Sequence, residues 1–546
     1  MLGLLLLGLA AVLASRLVST RQDPSSAPPT FRYFHPLVPT FLSGLVAVVK
    51  LGKDEDEFLR ELYDEYGGVV YLPWPMQRYF VLETQAIEQV YRAPSKTLSF
   101  MPIRRELQGS VFEAPYWRDR DLMEGQFYSV HGRGFRTPRL EGPVDRFVSV
   151  VRSRVEHLAT RLDGLTPRDA GDELVVSLDE LVTDLFYDAS FVALFGAHVR
   201  DASGISAVDL REAFDKFDHA FPLLASGLLP AFLLDRIPDV KVGRQGFDVL
   251  AKTLQAWIEG GFEGLDEGVV KDMAQVALDN WLGSKEAGKM LVADLWALQA
   301  NAPFIASQLL VHLLQAPGSL LDEVTSESRA ASEELGDLQP SLAFLNQGFP
   351  LLQSCITETI RLGTASFSIR DVEQPFVVTA RMPSTTARTP PGFDTRDAKT
   401  RTRRDVVVPA RSKLICATRN AHLDDAVWDG NAAEWDGKRF LDAKGDTLNS
   451  GKARKVWGFG GGISRCEGSQ FATLELKALF STLFSTFDMS LAGPDAREVS
   501  RLDVIEFAGG ETGYKPKRRP GRVGMGAFQF VPGHGLKVRL RRRSGQ

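Results

Sequence analysis

The sequence predicts a mainly α-helical protein with small β-sheets, and two kinds of pattern support that prediction. Apolar residues recur at helical spacing along much of the chain; between Asp54 and Tyr66, for example, Phe58 and Leu62 fall on one helix face. Two short strand-like runs, Val69 to Leu72 and Tyr79 to Leu82, are joined by a Pro-Trp-Pro turn. Helices therefore account for most of the predicted structure, and the strands are short.

The composition is that of a large globular protein. The chain has 546 residues, of which 44% are hydrophobic and 24% are charged, with a formal net charge of -5. This mild acidity offers no basic footprint for nucleic acid. Three cysteines far apart do not form a disulfide framework, which favours a reducing compartment. No long linker or repeat divides residues 41–546, so we predict a single domain there.

The N-terminal segment predicts a membrane anchor. Met1 to Ala14 is unbroken apolar residues or glycine, a little short of the roughly 20 residues of a spanning helix. A cleaved signal peptide is the rival interpretation, but the basic region that should precede it is missing. Arg16 and Arg21 follow the apolar run, which places the body of the protein in the cytoplasm. We therefore predict a retained anchor over residues 1–20 and a proline-rich linker over residues 21–40.

Five further segments have readable patterns. Leu174 to Phe195 is mostly apolar and predicts a helix, and Leu291 to Leu314 is apolar on every face, as expected of a buried central helix. Phe214 to Pro238 is also apolar but contains two internal prolines, so it either dips toward lipid or packs in the core. Met101 to Gly134 predicts an aromatic-rich loop, and Arg522 to Arg543 predicts a terminal hairpin.

A glycine-rich stretch from Trp457 to Ala472 carries the main chemical signal. Cys466 follows the glycines and precedes a helical pattern, where unpaired N–H groups favour an anion and so a metal-binding thiolate. A dinucleotide loop is excluded because its third glycine position is Ile463, and no Lys-Ser/Thr follows for a phosphate loop. A zinc site lacks neighbouring cysteine or histidine ligands. A buried structural cysteine remains the alternative on these residues alone.

The pattern Phe459-x-x-Gly462-x-x-x-Cys466-x-Gly468 resembles the haem-binding loop of the cytochromes P-450. The resemblance implies that Cys466 is the axial thiolate of haem b, iron protoporphyrin IX, and that Phe459 packs beside the sulfur. Gly462 and Gly468 would let the backbone approach the porphyrin. The family's usual arginine two residues before the cysteine is absent, as in the sterol 7-alpha-hydroxylase and prostacyclin synthase branch. Arg465, one residue later, becomes the candidate contact to a haem propionate.

Two further motifs extend the resemblance. Glu358 and Arg361 stand at i,i+3 on one helix face, about a hundred residues before the cysteine, like the family's Glu-x-x-Arg pair. With Arg439 they would form a buried structural network, although such a pair alone is more often a solvated surface ion pair. Arg370, where a strand should begin, and His131 occupy positions at which family members often bind a haem propionate. A solvated basic cluster is the alternative for His131.

The central helix departs from the usual family pattern. Ordinary monooxygenases of the family carry an acid followed by threonine there, and this chain has Pro303 and Phe304 at those positions. Pro303 removes a backbone donor and must distort the helix. Asn301 is left as the polar side chain able to meet oxygen or substrate. We therefore count Asn301, Pro303 and Phe304 as the candidate catalytic residues, in a pattern that resembles the same sterol hydroxylase and prostacyclin synthase branch.

The resemblance implies a haem-thiolate monooxygenase. It would use O2, with electrons from NADPH delivered by NADPH–cytochrome P450 reductase, to hydroxylate or epoxidise a lipophilic small molecule. The chain contains no nicotinamide or flavin motif, so a partner must supply the electrons. The anchor implies a single-pass protein of the endoplasmic reticulum membrane with a cytoplasmic catalytic domain.

The overall pattern is similar to that of fungal secondary-metabolism members of the family, which suggests secondary-metabolite or sterol and terpenoid biosynthesis. Two alternatives stay open. One is an isomerase or dehydratase that needs no reductase, which the residues at positions 303 and 304 motivate. The other is a haem-binding protein without turnover.

Overall fold

The computed structural model of the chain divides into two compact units. The first contains the described residues up to Phe100 together with Ser368–Asn420, and the second contains Met101–Phe367 and the described residues from Ala421 onward. The residues that the structure describes are 26–35, 38–164, 173–229, 231–383, 401–492, 502–520, 522–531 and 534–542. The anchor predicted for residues 1–20 lies outside them. Within these ranges, no helix is both long and apolar enough to cross a bilayer.

The first unit is built on a five-stranded sheet. Its strands, in spatial order, are β1 (Val69–Leu72), β2 (Arg78–Val81), β8 (Lys413–Ala417), β5 (Phe367–Val372) and β3 (Leu98–Ser99). The remaining elements are α1 (Thr40–Lys53), α2 (Glu55–Tyr66), α3 (Thr84–Arg92) and the hairpin of β6 (Phe376–Pro383) and β7 (Arg401–Val408). The two strands predicted around the Pro-Trp-Pro turn are confirmed as an antiparallel pair, the second beginning one residue earlier than expected.

Helix α2 shows how local sequence sets the ends of an element. The Asp54 side chain accepts a hydrogen bond from the Glu57 N–H and so caps the helix start. Gly67 ends the helix at φ 84°, in the left-handed region. A Cβ at Gly67 would lie 2.5 Å from the Arg381 carbonyl oxygen, so a side chain is excluded twice over. The helix predicted from Asp54 to Tyr66 is confirmed.

The second unit is mainly helical, which confirms the predicted fold class. Its helices before the cysteine are α4 (Met101–Ser110), α5 (Tyr128–Gly134), α6 (Glu141–Asp163), α7 (Leu185–Phe195), α8 (Val199–Ser203), α9 (Ala207–Ser226), α10 (Ala231–Leu234), α11 (Pro238–Glu259), α12 (Val269–Asp279), α13 (Ser284–Gln299), α14 (Ala302–Leu313), α15 (Leu320–Leu335), α16 (Leu342–Gln347) and α17 (Pro350–Gly363). Short helices α18 (Thr418–His422) and α19 (Ser450–Ala453) come before the long helix α20 (Ser469–Thr486).

The small sheets of the second unit correct one prediction. Strand β12 (Lys537–Arg542) is the middle strand of a three-stranded sheet, between β4 (Leu174–Ser177) and β9 (Phe487–Ala492). A separate pair is formed by β10 (Leu502–Glu506) and β11 (Thr512–Pro516). The terminal hairpin predicted for Arg522 to Arg543 is therefore wrong, because alternation of side chains identifies a strand without identifying its distant partners.

Two other predictions are wrong because contacts with distant parts of the chain determine the structure of each segment. The segment Leu174 to Phe195 is not one helix, since β4 pairs with β12 before a π-helical turn, Asp179–Asp184, leads into α7. The segment predicted as a loop, Met101 to Gly134, contains α4, a π-helical turn at Asp121–Phe127 and α5. Strand pairing and packing have overridden the local pattern in both segments.

The central helix is interrupted where proline was expected to distort it. Helix α13 ends at Gln299 and α14 begins at Ala302, and Asn301 between them has φ −132° and ψ −58°. Pro303 stands at the start of α14, where the missing N–H leaves no helical hydrogen bond unmade. The distortion is confirmed, whereas the single helix predicted from Leu291 to Leu314 is wrong.

Helix α20 buries a carboxyl group, which leads to a prediction about stability. The Glu475 side chain accepts a hydrogen bond from the Ser190 hydroxyl at 2.7 Å, and burial raises its pKa to about 8. The folded state thus holds a proton that the unfolded chain releases near pH 4.5. The stabilisation is complete below that pH and is lost as the pH rises toward 8, by about 1.4 kcal/mol per pH unit.

Replacement of Glu475 with glutamine is expected to remove this slope, because the amide keeps an acceptor for Ser190 and does not titrate. The free energy of unfolding should be measured in urea at several pH values between 5 and 8. Glu333→Gln, at an exposed position of α15, is the matched control and should keep the wild-type slope. Equal slopes in the Glu475→Gln variant and the wild type would show that the carboxyl is charged in the folded protein.

Candidate functional site

The cysteine loop is a tight turn that brings Cys466 back beside Phe459. The Cys466 N–H donates to the Phe459 carbonyl oxygen at 2.9 Å. Gly460 and Gly462 have φ angles of 69° and 65°, a region that residues with a side chain rarely enter. A single turn of 3₁₀ helix, Gly462–Ser464, completes the path to the cysteine. The backbone conformation itself therefore favours glycine here.

The base of this loop is held against helix α17. The Trp457 N–H donates to Nε2 of His422 at 2.9 Å, and His422 is fully buried. A Cβ on Gly458 would come within 2.3 Å of the Ile360 side chain, so only glycine permits this approach. His422 therefore supports the base of the cysteine loop through a structural contact.

Accessibility separates the three cysteines, all of which are free thiols. Cys355 and Cys416 are buried, and Cys466 is exposed. Nevertheless, surrounding protein raises the pKa of the Cys466 thiol, against the opposing effects of the Gly468 N–H and two arginines nearby. Solvent reaches Cys466, yet the surrounding protein removes much of the water from its thiol. Cys466 therefore lies in a recess of the protein surface. The Gly468 N–H at the helix start does favour the thiolate, as expected, although burial opposes it.

The residues of the loop fit a haem-thiolate site. The loop offers one soft sulfur ligand, which is accessible, and glycines on both sides of it that leave room for a flat macrocycle. A porphyrin supplies the other in-plane ligands of its iron, so one protein thiolate suffices. Phe459 packs partly buried against the core beside the cysteine backbone. A metal held by protein ligands alone would need more donors than this loop provides.

Glu358, Arg361 and Arg439 form a buried network at the base of the site. The Glu358 carboxylate accepts from Nε and Nη2 of Arg361 at 2.7 and 2.8 Å and from Nε of Arg439 at 2.9 Å. Glu358 and Arg361 are 0% exposed. The remaining guanidinium N–H groups donate to oxygen atoms of the segment 422–434, mostly backbone carbonyls. All six nitrogens of the two arginines have acceptors, so the network is satisfied throughout.

The break in the central helix is tied to the C-terminal segment. Oδ1 of Asn301 accepts from the Ala527 N–H at 2.9 Å, and a Cβ on Gly526 would lie 2.1 Å from the same oxygen. Pro303 is buried and Phe304 is partly buried. The amide oxygen of Asn301 therefore binds the backbone N–H of Ala527, and the NH2 group of Asn301 remains for other partners. The participation of residues 522–531 in this site was not foreseen from sequence, because no motif marks them.

The same C-terminal segment also contacts the chain between α17 and the start of β5. The Ala365 N–H donates to the Gly526 carbonyl oxygen at 2.9 Å, and the Phe367 N–H donates to the Gly524 carbonyl oxygen at 3.0 Å. The Phe367 ring lies so close to Gly524 that a Cβ there would be 2.3 Å from it. Asn301, Ala365 and Phe367 thus meet one short segment of chain.

His131 lies in a cluster of charged side chains. Its Nε2 is 3.0 Å from Oδ1 of Asp294, its Nδ1 contacts Glu467, and Arg104 contacts both the ring and Glu467 at 3.2 Å. Burial works to lower the pKa of His131, but its hydrogen bonds to Asp294 and Glu467 outweigh that effect and raise it. Both ring nitrogens therefore face carboxylates, and the solvated cluster considered from sequence is wrong. Contact of His131 with a propionate stays a prediction.

The other two candidates for propionate contact differ in burial. Arg370 belongs to the first unit and is buried, with its guanidinium 5.7 Å from the ring centres of Tyr91 and Phe100. Burial lowers the pKa of this guanidinium. Its strand, β5, begins three residues earlier than expected. Arg465 is exposed in the cysteine loop, and its N–H donates to Gly462. The roles of both toward haem stay predictions.

The fold and the site define a class of protein: a mainly helical chain with an accessible thiol in a glycine turn, seated on a buried Glu–Arg–Arg network. Comparison with known proteins is consistent with a haem-thiolate protein. A sequence model described as Cytochrome P450 matches residues 395–508, which include the cysteine loop. Over these residues the chain is similar to the cytochrome P450 superfamily, whose cofactor is haem held by a cysteine thiolate.

The similar curated proteins include sterol hydroxylases and prostacyclin synthase. Cholesterol 7-alpha-monooxygenase of Cricetulus griseus is 25% identical over 323 residues, 56% of this chain and 58% of that protein. Cytochrome P450 7B1 of Mus musculus is 26% identical over 474 residues, 84% of both chains. Prostacyclin synthase of Bos taurus is 26% identical over 355 residues, 62% of this chain and 60% of that protein. The match to the first relatives thus spans about 58% of their length.

Proposed function

We propose that this protein is a haem-thiolate monooxygenase that inserts one oxygen atom into a lipophilic small molecule. The observation that carries the proposal is Cys466, the accessible thiol among the three cysteines, in a turn whose positive φ angles favour glycine. When bound, haem supplies the activation of O2 that amino-acid side chains lack. The protein's own contribution is to provide the sulfur ligand, to bind the substrate and to exclude water.

The residues of the helix break have distinct roles in this proposal. The Asn301 amide oxygen is held by the Ala527 N–H, so the NH2 group of Asn301 is the polar donor left to meet oxygen or substrate. Pro303 keeps the helix open at this point, because it has no N–H to close the turn. Phe304 contributes apolar surface that keeps water out. Arg465, Arg370 and His131 remain the candidates for propionate contact.

The substrate class follows from the relatives and from the apolar character of the chain. Cholesterol 7-alpha-monooxygenase and 5-beta-cholestane-3-alpha,7-alpha-diol 12-alpha-hydroxylase are names that describe oxidation of steroid nuclei. A sterol, a terpenoid or a secondary metabolite of similar bulk is the proposed substrate here. Exposed apolar side chains around α10, including Leu229 and Phe232, would admit such a molecule from a lipid surface.

The proposed partners are a reductase and a membrane. Electrons from NADPH would arrive through NADPH–cytochrome P450 reductase, docked on the basic surface around the cysteine loop. Arg454, Lys455 and Arg465 are exposed there, and Lys452 is half-buried beside Asp429. The apolar segment of residues 1–20 would anchor the protein in the endoplasmic reticulum membrane with its catalytic domain in the cytoplasm.

A second candidate function is an isomerase or dehydratase that rearranges an oxygenated substrate without a reductase. Two observations favour it: Pro303 and Phe304 stand where an acid and an alcohol usually lie, and prostacyclin synthase is among the relatives. Both reactions share the thiolate, the buried network and the apolar surroundings. They differ in the need for electrons.

The first experiment is a carbon monoxide difference spectrum of the reduced, purified protein, which is expected to show the red-shifted band of thiolate-ligated haem. The second is turnover of a sterol and terpenoid panel with NADPH and reductase. Product that requires both supports the monooxygenase. Conversion of a peroxide substrate without either would replace it with the isomerase, and a spectrum without the thiolate band would refute both.

A further inference from the structure

A buried ion pair joins helix α9 to the C-terminal segment 522–531. Asp218 is 1% exposed and Arg522 is 7% exposed, and Nη1 of Arg522 donates to Oδ2 of Asp218 at 2.5 Å. The same carboxylate accepts from Nε1 of Trp296 at 3.0 Å and from Nε2 of Gln529 at 2.8 Å. Asp218 is therefore well supplied with donors, and its charge is balanced by Arg522.

The guanidinium of Arg522, by contrast, is only partly satisfied. Among the residues that the structure describes, its Nε and Nη2 atoms are buried and have no hydrogen-bond partner. In the Glu358 network, all three nitrogens of Arg361 and of Arg439 have acceptors. A buried N–H without an acceptor is destabilising, so a pair kept for stability alone should be satisfied in the same way. Two nitrogen donors of Arg522, Nε and Nη2, therefore lack an acceptor.

The position of Arg522 connects these donors with the proposed reaction site. Trp296, which shares Asp218 with Arg522, lies five residues before Asn301 along the broken central helix. The Phe221 ring stacks on Trp296 with 3.7 Å between ring centres. The segment that begins at Arg522 continues to Ala527, whose N–H binds Asn301. Arg522 thus shares its carboxylate partner with an aromatic stack, and aromatic surface of this kind suits a lipophilic molecule.

We propose that Arg522 is a specificity-determining residue whose Nε and Nη2 groups bind an uncharged oxygen of the substrate, a carbonyl or a hydroxyl. This inference rests on the proposed function, because it names the substrate class of the same site. Asp218 already neutralises the guanidinium, so a neutral oxygen completes its hydrogen bonds without adding charge. A carboxylate would bring an unbalanced charge into a buried place. The segment 522–531 consists of turns and isolated bridges, and it must shift to admit the oxygen.

The test uses the full-length, haem-loaded protein and probes that report binding by themselves. These are 1-alkylimidazoles, whose imidazole shifts the haem absorption band, in matched pairs that end in a methyl ketone or in hydrocarbon of equal length. Over a series of chain lengths, the ketone of at least one pair is expected to bind about tenfold more tightly, the ratio given by one or two added hydrogen bonds. The corresponding carboxylate is expected to bind more weakly than the ketone.

The decisive variant is Arg522→Lys, which keeps a cation for Asp218 but lacks the second and third nitrogen donors. It should lose most of the preference for the ketone and keep the wild-type affinity for the hydrocarbon probes. Arg519→Lys, three residues before the segment and bonded to Gln529 and His219, is the matched control and should keep the preference.

Three outcomes would overturn the inference while leaving the proposed function intact. They are equal binding of ketone and hydrocarbon at every length, a preference that survives Arg522→Lys, and a carboxylate that binds more tightly than the ketone. A protein without haem would give no imidazole-induced shift at all. That result would refute the proposed function, and this inference with it, so the two failures are distinguishable.

Discussion

Cys466→Ala is expected to abolish haem-dependent activity, the largest effect of any single change in this chain. Alanine has no donor atom for iron, and the other two cysteines are buried and cannot replace the lost ligand. The measurement is the carbon monoxide difference spectrum of the reduced variant, with the haem content per protein determined in parallel. Both the thiolate band and turnover should be absent.

Cys416→Ala is the matched control for the loss of a thiol. This cysteine is buried in β8, so its replacement should cost stability through lost packing but leave the thiolate band in place. The far-ultraviolet circular dichroism of both variants would confirm that each has folded. A Cys466→Ala protein with normal haem content, a normal thiolate band and full activity would disprove the assignment of the ligand.

Glu358→Ala is expected to produce the largest loss of stability. The change leaves two buried guanidinium groups, on Arg361 and Arg439, without the carboxylate that both share. Removal of one member of such a buried network costs about 3–5 kcal/mol. Whole domains are stable by only about 5–15 kcal/mol, so most of the variant should be unfolded or degraded. Soluble yield and the urea midpoint measure the effect.

The exposed ion pair between Glu88 and Arg92, at 3.1 Å, is the control for the same chemistry in solvent. Glu88→Ala should change the free energy of unfolding by less than about 1 kcal/mol, because solvent already screens that pair. Glu358→Gln, which keeps one acceptor oxygen for the arginines, should fall between the two. If Glu358→Ala were as stable as Glu88→Ala, the network would not be a determinant of the fold.

The elements predicted well from sequence are those whose signals are local. Helix α2 carries its own cap, Asp54, and its own terminator, Gly67. Pro303 breaks the central helix wherever that helix lies, because proline has no N–H. The short strands β1 and β2 are set by the turn between them. In each case the physical cause lies within a few residues of the effect.

Predictions failed where partners distant in sequence decide the outcome. Leu174–Ser177 is apolar enough for a helix, and it becomes a strand because Lys537–Arg542 offers it hydrogen bonds. The solvated basic cluster considered for His131 is wrong as well, because Asp294 and Glu467 contact both nitrogens of its ring. Neither contact can be predicted from the local spacing of apolar residues. Arg104 was missed altogether, since nothing in its neighbourhood marks it.

The sequence by itself determined the conformation of the cysteine loop. The backbone strongly favours glycine there, since Gly460 and Gly462 have positive φ angles that side-chain-bearing residues rarely adopt, and the motif that supplies these glycines is short and recognisable. Tertiary structure alone determined the contacts around the break in the central helix. It placed Arg522 against Asp218 and joined Asn301 to Ala527. These contacts join residues more than two hundred positions apart in the sequence. A buried donor can be recognised as unsatisfied only when the positions of all neighbouring acceptors are known.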